Sequence, residues 1–362
     1  MLNQMMSPAC RYIQGEGALE EIGPVLRRAG HSKALLLYGK TAFREAGDRV
    51  AQSLAAAGIR WTPFEYTGFC TEEDIEAIAI DERCRDCRCV LGLGGGKLMD
   101  LSKAVADRMD LPVYLAPTIA ATCAACAPLS VIYTGAGTQK TIRFFERTAQ
   151  CVFADLTVLS RAPGRYLAAG IADAFAKSCE YSSMRPSVAC GDLETGMYMG
   201  YSMARAVDET LLMNARRALE ENERHTPGQA FSDTVAAVIL FTGVVSSTGG
   251  FGGRQNARFK IAHGYNEIIR GQYVADVRRW LHGEIVAVGI LAQLRANGVP
   301  PERYDAVRRL FQDMGVPMTL KDLGMDVSPE AVEQFTAHLI RHSHTEAAFI
   351  PEVRRAILSG VR

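Results

Sequence analysis

The sequence LGLGGGKLMDLSKAVAD, residues 91–107, joins a run of apolar residues to a glycine-rich turn and then to a helical pattern. A P-loop requires G-x-x-x-x-G-K-[ST], but Leu91 stands where its first glycine belongs and Leu98 where its hydroxyl belongs. The G-x-G-x-x-G pattern fails as well, because the third glycine comes one residue early. What remains is a strand and a helix joined by four glycines: Gly92, Gly94, Gly95 and Gly96.

This turn is suited to binding a pyrophosphate. Its glycines let backbone N–H groups come close to a ligand, and the helix N-terminus adds partial positive charge. Lys97 and Asp100 fall on the first helical turn. Lys97 could reach a phosphate or be solvated, and Asp100 could simply compensate the helix dipole. A tight structural turn with no ligand is the alternative for the whole stretch.

Strand and helix patterns alternate on both sides of the turn. Residues 33–39, KALLLYG, predict a buried strand, residues 42–59 predict a helix, and Thr71 is placed to cap another helix. This alternation predicts a parallel sheet. Long helical patterns take over after about residue 155. We therefore predict an α/β dinucleotide-binding domain over residues 1–160 and an all-α, metal- and substrate-binding domain over residues 161–362.

The composition excludes several classes of protein. Forty basic residues balance forty acidic ones, so there is no electrostatic case for nucleic acid or an anionic membrane as a partner. No apolar run is long enough to span a bilayer. Ten cysteines in 362 residues are too few for a disulfide scaffold. We expect a reduced, cytoplasmic protein that acts on a small molecule.

Five blocks occur in an order that resembles the iron-containing alcohol dehydrogenase superfamily, which includes glycerol dehydrogenase and dehydroquinate synthase. The blocks are residues 11–23, 92–107, 116–134, 170–180 and 281–291. Together they extend along nearly the whole chain. Within the superfamily, PTIAATCAA and PLSV, from the third block, and YGK at residues 38–40 are most similar to a hydroxycarboxylate dehydrogenase branch.

The resemblance implies a Rossmann-like α/β domain followed by a helical domain, with the active site in the cleft between them. It implies a divalent metal, zinc or iron, with Asp173, His263 and His282 as ligands. One carboxylate and two imidazoles would leave coordination positions open for a substrate. Taken without the resemblance, Asp173 could be a helix-capping acid, and both histidines could be core residues with satisfied hydrogen bonds.

The resemblance also implies a nicotinamide cofactor. The positions that match the pyrophosphate site are Gly94, Gly95, Gly96, Lys97 and Asp100, and those that match the nicotinamide site are Thr118, Leu129 and Tyr133. NAD-preferring members often end the second strand with an Asp, but this chain has Gly39 and Lys40 there. Glycine leaves space and lysine supplies charge for a 2′-phosphate. We predict that NADP(H) is accepted and preferred over NAD(H), unless Lys40 simply points to solvent.

The chain departs from glycerol dehydrogenases at Cys123, where those enzymes have an Asp that contacts the polyol. A thiol is a poor acceptor for hydroxyl groups, and losing the negative charge favours a substrate carboxylate. Cys123 could instead be only a small buried residue. The family often has a second histidine where this chain has Asn266. Four arginines near His263 could bind an acidic substrate or be surface charges: Arg254, Arg258, Arg278 and Arg279.

These observations predict a metal-dependent NAD(P)(H) oxidoreductase that interconverts a small 2-oxo acid and its 2-hydroxy acid. A glycerol or polyol dehydrogenase is the first alternative, and a dehydroquinate synthase-like lyase is the second. A non-catalytic nucleotide-binding relative is disfavoured by the complete ligand set. Relatives are commonly homo-oligomeric, so we expect a homo-oligomer. The late histidines His338, His342 and His344 are interpreted as peripheral.

Overall fold

A computed structural model of the chain describes residues 10–183, 195–247, 259–273, 279–343 and 345–360. Its eight strands are β1 (Arg11–Gly15), β2 (Lys33–Tyr38), β3 (Arg60–Glu65), β4 (Cys89–Gly94), β5 (Val113–Pro117), β6 (Leu129–Tyr133), β7 (Gln139–Phe144) and β8 (Cys151–Asp155). Six of them form a parallel sheet in the order β1-β8-β5-β4-β2-β3. Strands β6 and β7 form a separate antiparallel pair.

The helices that alternate with the first strands are α1 (Ile22–Arg28), α2 (Lys40–Ala56), α3 (Glu72–Ala79), α4 (Gly96–Arg108) and α5 (Leu156–Arg161). The later ones are α6 (Gly164–Ser182), α7 (Thr195–Glu223), α8 (Gln229–Ala236), α9 (Thr242–Val245), α10 (Ile261–Gln272), α11 (His282–Ala296), α12 (Pro301–Asp313), α13 (Pro329–His342) and α14 (Ile350–Leu358). A π-helical turn, Ala237–Phe241, connects α8 to α9. Short 3-10 helices occur at Ala18–Glu21, Glu82–Cys84 and Ala347–Phe349.

The sheet is covered on both faces, which explains the unbroken apolar run in β2. Leu35 and Leu37 pack into one apolar cluster, and Ala34 and Leu36 pack into another on the opposite face. Successive strand side chains point to opposite faces, so a strand buried on both sides has no polar positions to alternate with. Strand β4, which delivers the glycine turn, is buried along its full length.

Every strand in the described residues lies before residue 156, and helices follow. The predicted fold class, a parallel α/β sheet with a helical C-terminal part, is confirmed. The boundary near residue 160 stays a prediction. In the part of the chain that the structure describes, no helix combines the length and the apolar character that crossing a membrane requires.

Two helices of the C-terminal part approach each other unusually closely. A β-carbon on Gly283 would lie 1.8 Å from the carbonyl oxygen of Ala169, so only glycine allows α11 to begin against α6. Next to this contact, Glu284 forms an ion pair with Arg165 and accepts a hydrogen bond from the backbone N–H of Leu281 at 2.8 Å. The start of α11, and with it His282, is therefore fixed against α6.

Candidate active site

Helix α6 carries a polar face inside an otherwise apolar environment. Asp173, Lys177 and Glu180 lie four and three residues apart, so they share one face of the helix. All three are buried. Charged residues are rarely buried unless they are paired or bind a ligand, so this face has a role beyond packing.

The structure brings together the three side chains that match the metal ligands of the family. The Nε2 atoms of His263 and His282 each lie 3.3 Å from Oδ1 of Asp173. One potential ligand atom from each residue lies within 4.8 Å of the others. His263 comes from α10 and His282 is the first residue of α11, so three different helices converge on this point.

Glu180 fixes the orientation of His263. Its Oε1 accepts a hydrogen bond from the backbone N–H of His263 at 3.0 Å and lies 2.8 Å from the ring Nδ1. A carboxylate partner at Nδ1 keeps the proton there and leaves the lone pair of Nε2 directed toward Asp173. A metal-binding histidine usually donates its other ring N–H to a carboxylate or carbonyl oxygen, as His263 does to Glu180.

The charge balance also suits a cation. Burial alone would raise the pKa of Asp173, but His282, His263 and Lys177 lower it well below its ordinary value, so the carboxylate is ionised. About 39% of the His282 side chain is exposed, yet the surrounding protein lowers its pKa and favours the neutral imidazole. A carboxylate must be ionised and an imidazole must be neutral at the binding nitrogen before either can bind a metal.

A divalent cation fits this donor set. Oδ1 of Asp173 is buried and has no hydrogen bond that meets geometric criteria within the described residues. Buried polar atoms without partners are rare, and a metal ion is one of the few explanations for them. One carboxylate and two neutral imidazoles suit zinc and iron alike, so the donor set does not distinguish these metals.

Two adjoining cavities lie beside the glycine turn, and His282 lines one of them. The first, of about 510 Å³, is lined by Gly39, Lys40, Gly94, Gly95 and Thr118 among others. The second, of about 530 Å³, is lined by Gly95, Gly96, Lys97, Asp100, Tyr133, Arg270 and His282 among others. Because Gly95 lines both, the two cavities are neighbours, and most of the predicted cofactor residues line one or the other.

Two of the predicted cofactor residues have other contacts. Oδ1 of Asp100 lies 3.1 Å from Nζ of Lys103, and its Oδ2 accepts from the N–H of Val131 at 3.3 Å. An anionic side chain engaged in this way holds protein structure and is poorly suited to a pyrophosphate. Leu129 lines neither cavity, and its carbonyl oxygen accepts a hydrogen bond from Lys103. Asp100 nevertheless lines the second cavity, and the cofactor roles of both residues stay predictions.

Cys123 lies at the buried side of the site. Its Sγ is 3.9 Å from Oγ of Ser246, and the charges of Lys177 and Asp173 both affect the pKa of its thiol. Burial raises the pKa of the Cys123 thiol, although Lys177 opposes the shift. The residue is therefore a neutral, weakly polar group beside the candidate ligands.

The sequence analysis missed Glu180, Lys177 and Arg270. Nζ of Lys177 lies 3.3 Å from Nε2 of His263, and Arg270 lines the second cavity. The signal for the first two was present in GIADAFAKSCE, where an acid, a base and an acid share one helical face. Asn266, which stands where the family often has a second histidine, accepts a hydrogen bond from Arg270 at 3.0 Å, so it orients that guanidinium.

The arginines first considered for an acidic substrate are placed as follows. Arg254, Arg258 and Arg278 lie outside the described residues, and the guanidinium of Arg279 lies 5.1 Å from the ring centre of Trp280. The late histidines pair with other residues: His342 with Glu267 at 2.7 Å, and His338 with the hydroxyl of Tyr273 at 3.2 Å. His344 lies outside the described residues.

Comparison with known proteins identifies the family. The sequence profile of the iron-containing alcohol dehydrogenase family matches residues 8–156. Hydroxycarboxylate dehydrogenase A of Escherichia coli is 32% identical over 341 residues, which cover 93% of this chain and 90% of that protein. Glycerol dehydrogenase of Thermotoga maritima is 33% identical over 324 residues, which cover 87% of this chain and 84% of that protein.

The fold comparison agrees with the sequence comparison. The crystal structure of glycerol dehydrogenase from Schizosaccharomyces pombe superposes with a TM-score of 0.81 at 26% identity, over 99% of this chain and 91% of that chain. The relatives named here are dehydrogenases, so the lyase alternative has no support among them. The chain belongs to the iron-containing alcohol dehydrogenase family and is a nicotinamide-dependent, metal-binding alcohol or hydroxycarboxylate dehydrogenase.

Proposed function

We propose that the protein reduces a small 2-oxo acid to the 2-hydroxy acid, with Asp173, His263 and His282 holding a divalent metal. The observation that carries this proposal is the convergence of these three side chains, one of which, His282, lines the same cavity as the glycine turn. A dehydrogenase needs its substrate carbonyl beside a nicotinamide, and this arrangement provides both places.

In the proposed reaction, hydride passes from the nicotinamide to the carbonyl carbon, and the carbonyl oxygen gains a proton. The 2-oxo acid is thereby reduced while the cofactor is oxidised. A bound divalent metal would supply positive charge where negative charge develops on the substrate oxygen. The protein contributes the orientation of His263 through Glu180 and a buried setting that strengthens electrostatic interactions.

Two features favour a carboxylate-bearing substrate over a polyol. Cys123 is a neutral group, and two cations, Lys177 and Arg270, lie near the candidate ligands. The likeness to hydroxycarboxylate dehydrogenase A agrees with this choice. The likeness to glycerol dehydrogenases supports polyol oxidation equally well, so glycerol dehydrogenase activity is the second candidate.

We propose NADP(H) as the preferred cofactor. Lys40 and Gly39 line the first cavity at the start of α2. A β-carbon on Gly39 would meet only the β-carbon of Ala42, at 4.0 Å, so packing does not require glycine there. The open space beside a cation is what a 2′-phosphate needs.

A paired assay on metal-analysed protein tests this function. NADPH and NADH consumption are followed with a panel of 2-oxo acids, and NADP⁺ and NAD⁺ reduction are followed with glycerol and related diols. We expect NADPH-linked reduction of a 2-oxo acid to give the highest kcat/KM. Faster NAD⁺-linked oxidation of glycerol would overturn both the substrate and the cofactor assignments and leave the glycerol dehydrogenase alternative.

A further inference from the structure

We propose that Lys177 binds the carboxylate of the substrate, an inference that rests on the proposed 2-oxo acid function. Lys177 lies one helical turn after Asp173, and only 9% of its surface is exposed to solvent. Its single hydrogen bond to a described residue joins Nζ to Nε2 of His263, at 3.3 Å. An ammonium group has three N–H donors, so two of them have no acceptor among the residues that the structure describes.

The contact with His263 cannot persist when a metal occupies the donor set. The proton on Nδ1 of His263 faces Glu180, which leaves Nε2 a single lone pair. That lone pair can accept from Lys177 or bind a cation, but it cannot do both. In the metal-loaded protein the Lys177 ammonium therefore needs a new acceptor, since leaving a buried charge unpaired is costly.

The protein groups around Lys177 are poor substitutes. The Cys123 thiol stays neutral and accepts hydrogen bonds weakly. Asp173 gives Oδ1 to the donor set, and within the described residues it forms no ion pair with Lys177. The missing acceptor is therefore best supplied by an anionic ligand. In a 2-oxo acid the carboxylate carbon is bonded directly to the carbonyl carbon, so a carbonyl at the donor set brings its carboxylate within reach of a group located beside His263.

Arg270 is the competing candidate for this role. It lines the second cavity with His282, and two of its five N–H groups are already used. Its Nε donates to Asn266 at 3.0 Å and its Nη2 donates to the carbonyl oxygen of Trp280 at 2.6 Å. Lys177 lies closer to the donor set, because its Nζ is 3.3 Å from Nε2 of His263. We therefore assign the carboxylate to Lys177 and treat Arg270 as the rival to be tested.

The test measures binding of oxamate, a non-reactive 2-oxo acid mimic, by calorimetry to metal-loaded protein with cofactor. Lys177→Met should weaken oxamate binding about 10- to 100-fold, the range for a hydrogen bond to a charged group. Metal content should be retained or rise, because Lys177 no longer competes for His263. Lys321→Met, an exposed lysine, is the matched control and should bind oxamate like the wild type.

Further measurements separate the possible failures. Lys177→Gln removes the charge but keeps a polar side chain. If Lys177→Met folds poorly, Lys177→Gln should still show the loss of oxamate affinity. The kcat/KM for hydroxyacetone, an uncharged carbonyl compound, should change only a few-fold in either variant. Unchanged oxamate affinity in both Lys177 variants, or a loss confined to Arg270→Met, would overturn the assignment of the carboxylate to Lys177. Neither result would overturn the proposed function. A wild type that neither binds oxamate nor reduces any 2-oxo acid would overturn the proposed function as well.

Discussion

Lys103 and Lys177 are two buried lysines on helices α4 and α6, and their ammonium groups have opposite surroundings. Lys103 donates to the backbone carbonyls of Ala124, Ala127 and Leu129 and forms an ion pair with Asp100. Lys177 contacts one ring nitrogen of a candidate metal ligand. The two side chains differ little in burial, at 4% and 9% residual exposure, so burial alone does not distinguish their roles.

The contrast shows how a buried cation can be assigned to structure or to ligand binding. When protein acceptors use all the donors, the charge is a structural element, and removing it leaves the partners unsatisfied. When donors remain beside a candidate ligand set, the charge is available to a ligand. Lys103 joins α4 to the 118–129 segment that contains Cys123, whereas Lys177 contacts a candidate metal ligand.

The largest effect is expected in the donor set that Lys177 contacts. His282→Ala should remove the metal and lower turnover by about a thousandfold or more, because a metal supplies several kcal/mol of charge stabilisation. Elemental analysis and the paired assay measure the two effects, and far-UV circular dichroism should be unchanged. Full activity with a normal metal content would exclude the assigned ligand set.

Replacing each lysine with methionine tests the contrast itself. Lys103→Met should lower the free energy of unfolding by about 3–5 kcal/mol, because it leaves Asp100 buried without its cation. Lys177→Met should change it by about 1 kcal/mol or less, because an apolar replacement of a poorly satisfied charge is often neutral or stabilising. Urea denaturation followed by circular dichroism gives both values. Equal destabilisation by the two substitutions would abolish the distinction.

Glu180 tests whether the α6 face acts as a unit. Glu180→Gln keeps an acceptor for His263 but removes the negative charge, so metal affinity should fall about 10- to 100-fold. Competition with a chromogenic chelator measures that affinity. Glu267→Gln is the matched control, since Glu267 pairs with His342, outside the three-residue donor set. Normal metal affinity in Glu180→Gln would mean that the carboxylate contributes only to packing.

Much of this fold could be predicted from the sequence, because local chemistry decides it. The apolar run in β2 indicated a strand buried on both faces, and Thr71 does accept a hydrogen bond from the N–H of Asp74 at the start of α3. The glycine turn has the predicted strand–turn–helix form. These features depend on neighbouring residues, so one stretch of sequence is enough to identify them.

The site was harder to predict because it depends on contacts between distant residues. Lys177 and Glu180 contact His263 only because α10 packs against α6 in the folded chain. His263 is 86 residues from Lys177 and 83 residues from Glu180 in sequence. Asp100 illustrates the same difficulty: the resemblance matched it to the pyrophosphate site, and that role stays a prediction. Lys103, three residues later, was the available signal that the carboxylate has an internal partner.

The smallest effect is expected at Lys40, a third lysine that is exposed, unlike Lys103 and Lys177. Lys40 lies at the start of α2 beside Gly39, where solvent weakens any interaction with a 2′-phosphate. Lys40→Ala should weaken NADPH binding about five- to tenfold, since exposed ion pairs contribute about 1 kcal/mol. NADH binding should not change, and fluorescence titration with both cofactors measures the difference. An equal loss for NADH and NADPH would mean that Lys40 supports the cavity in general and does not select the phosphate.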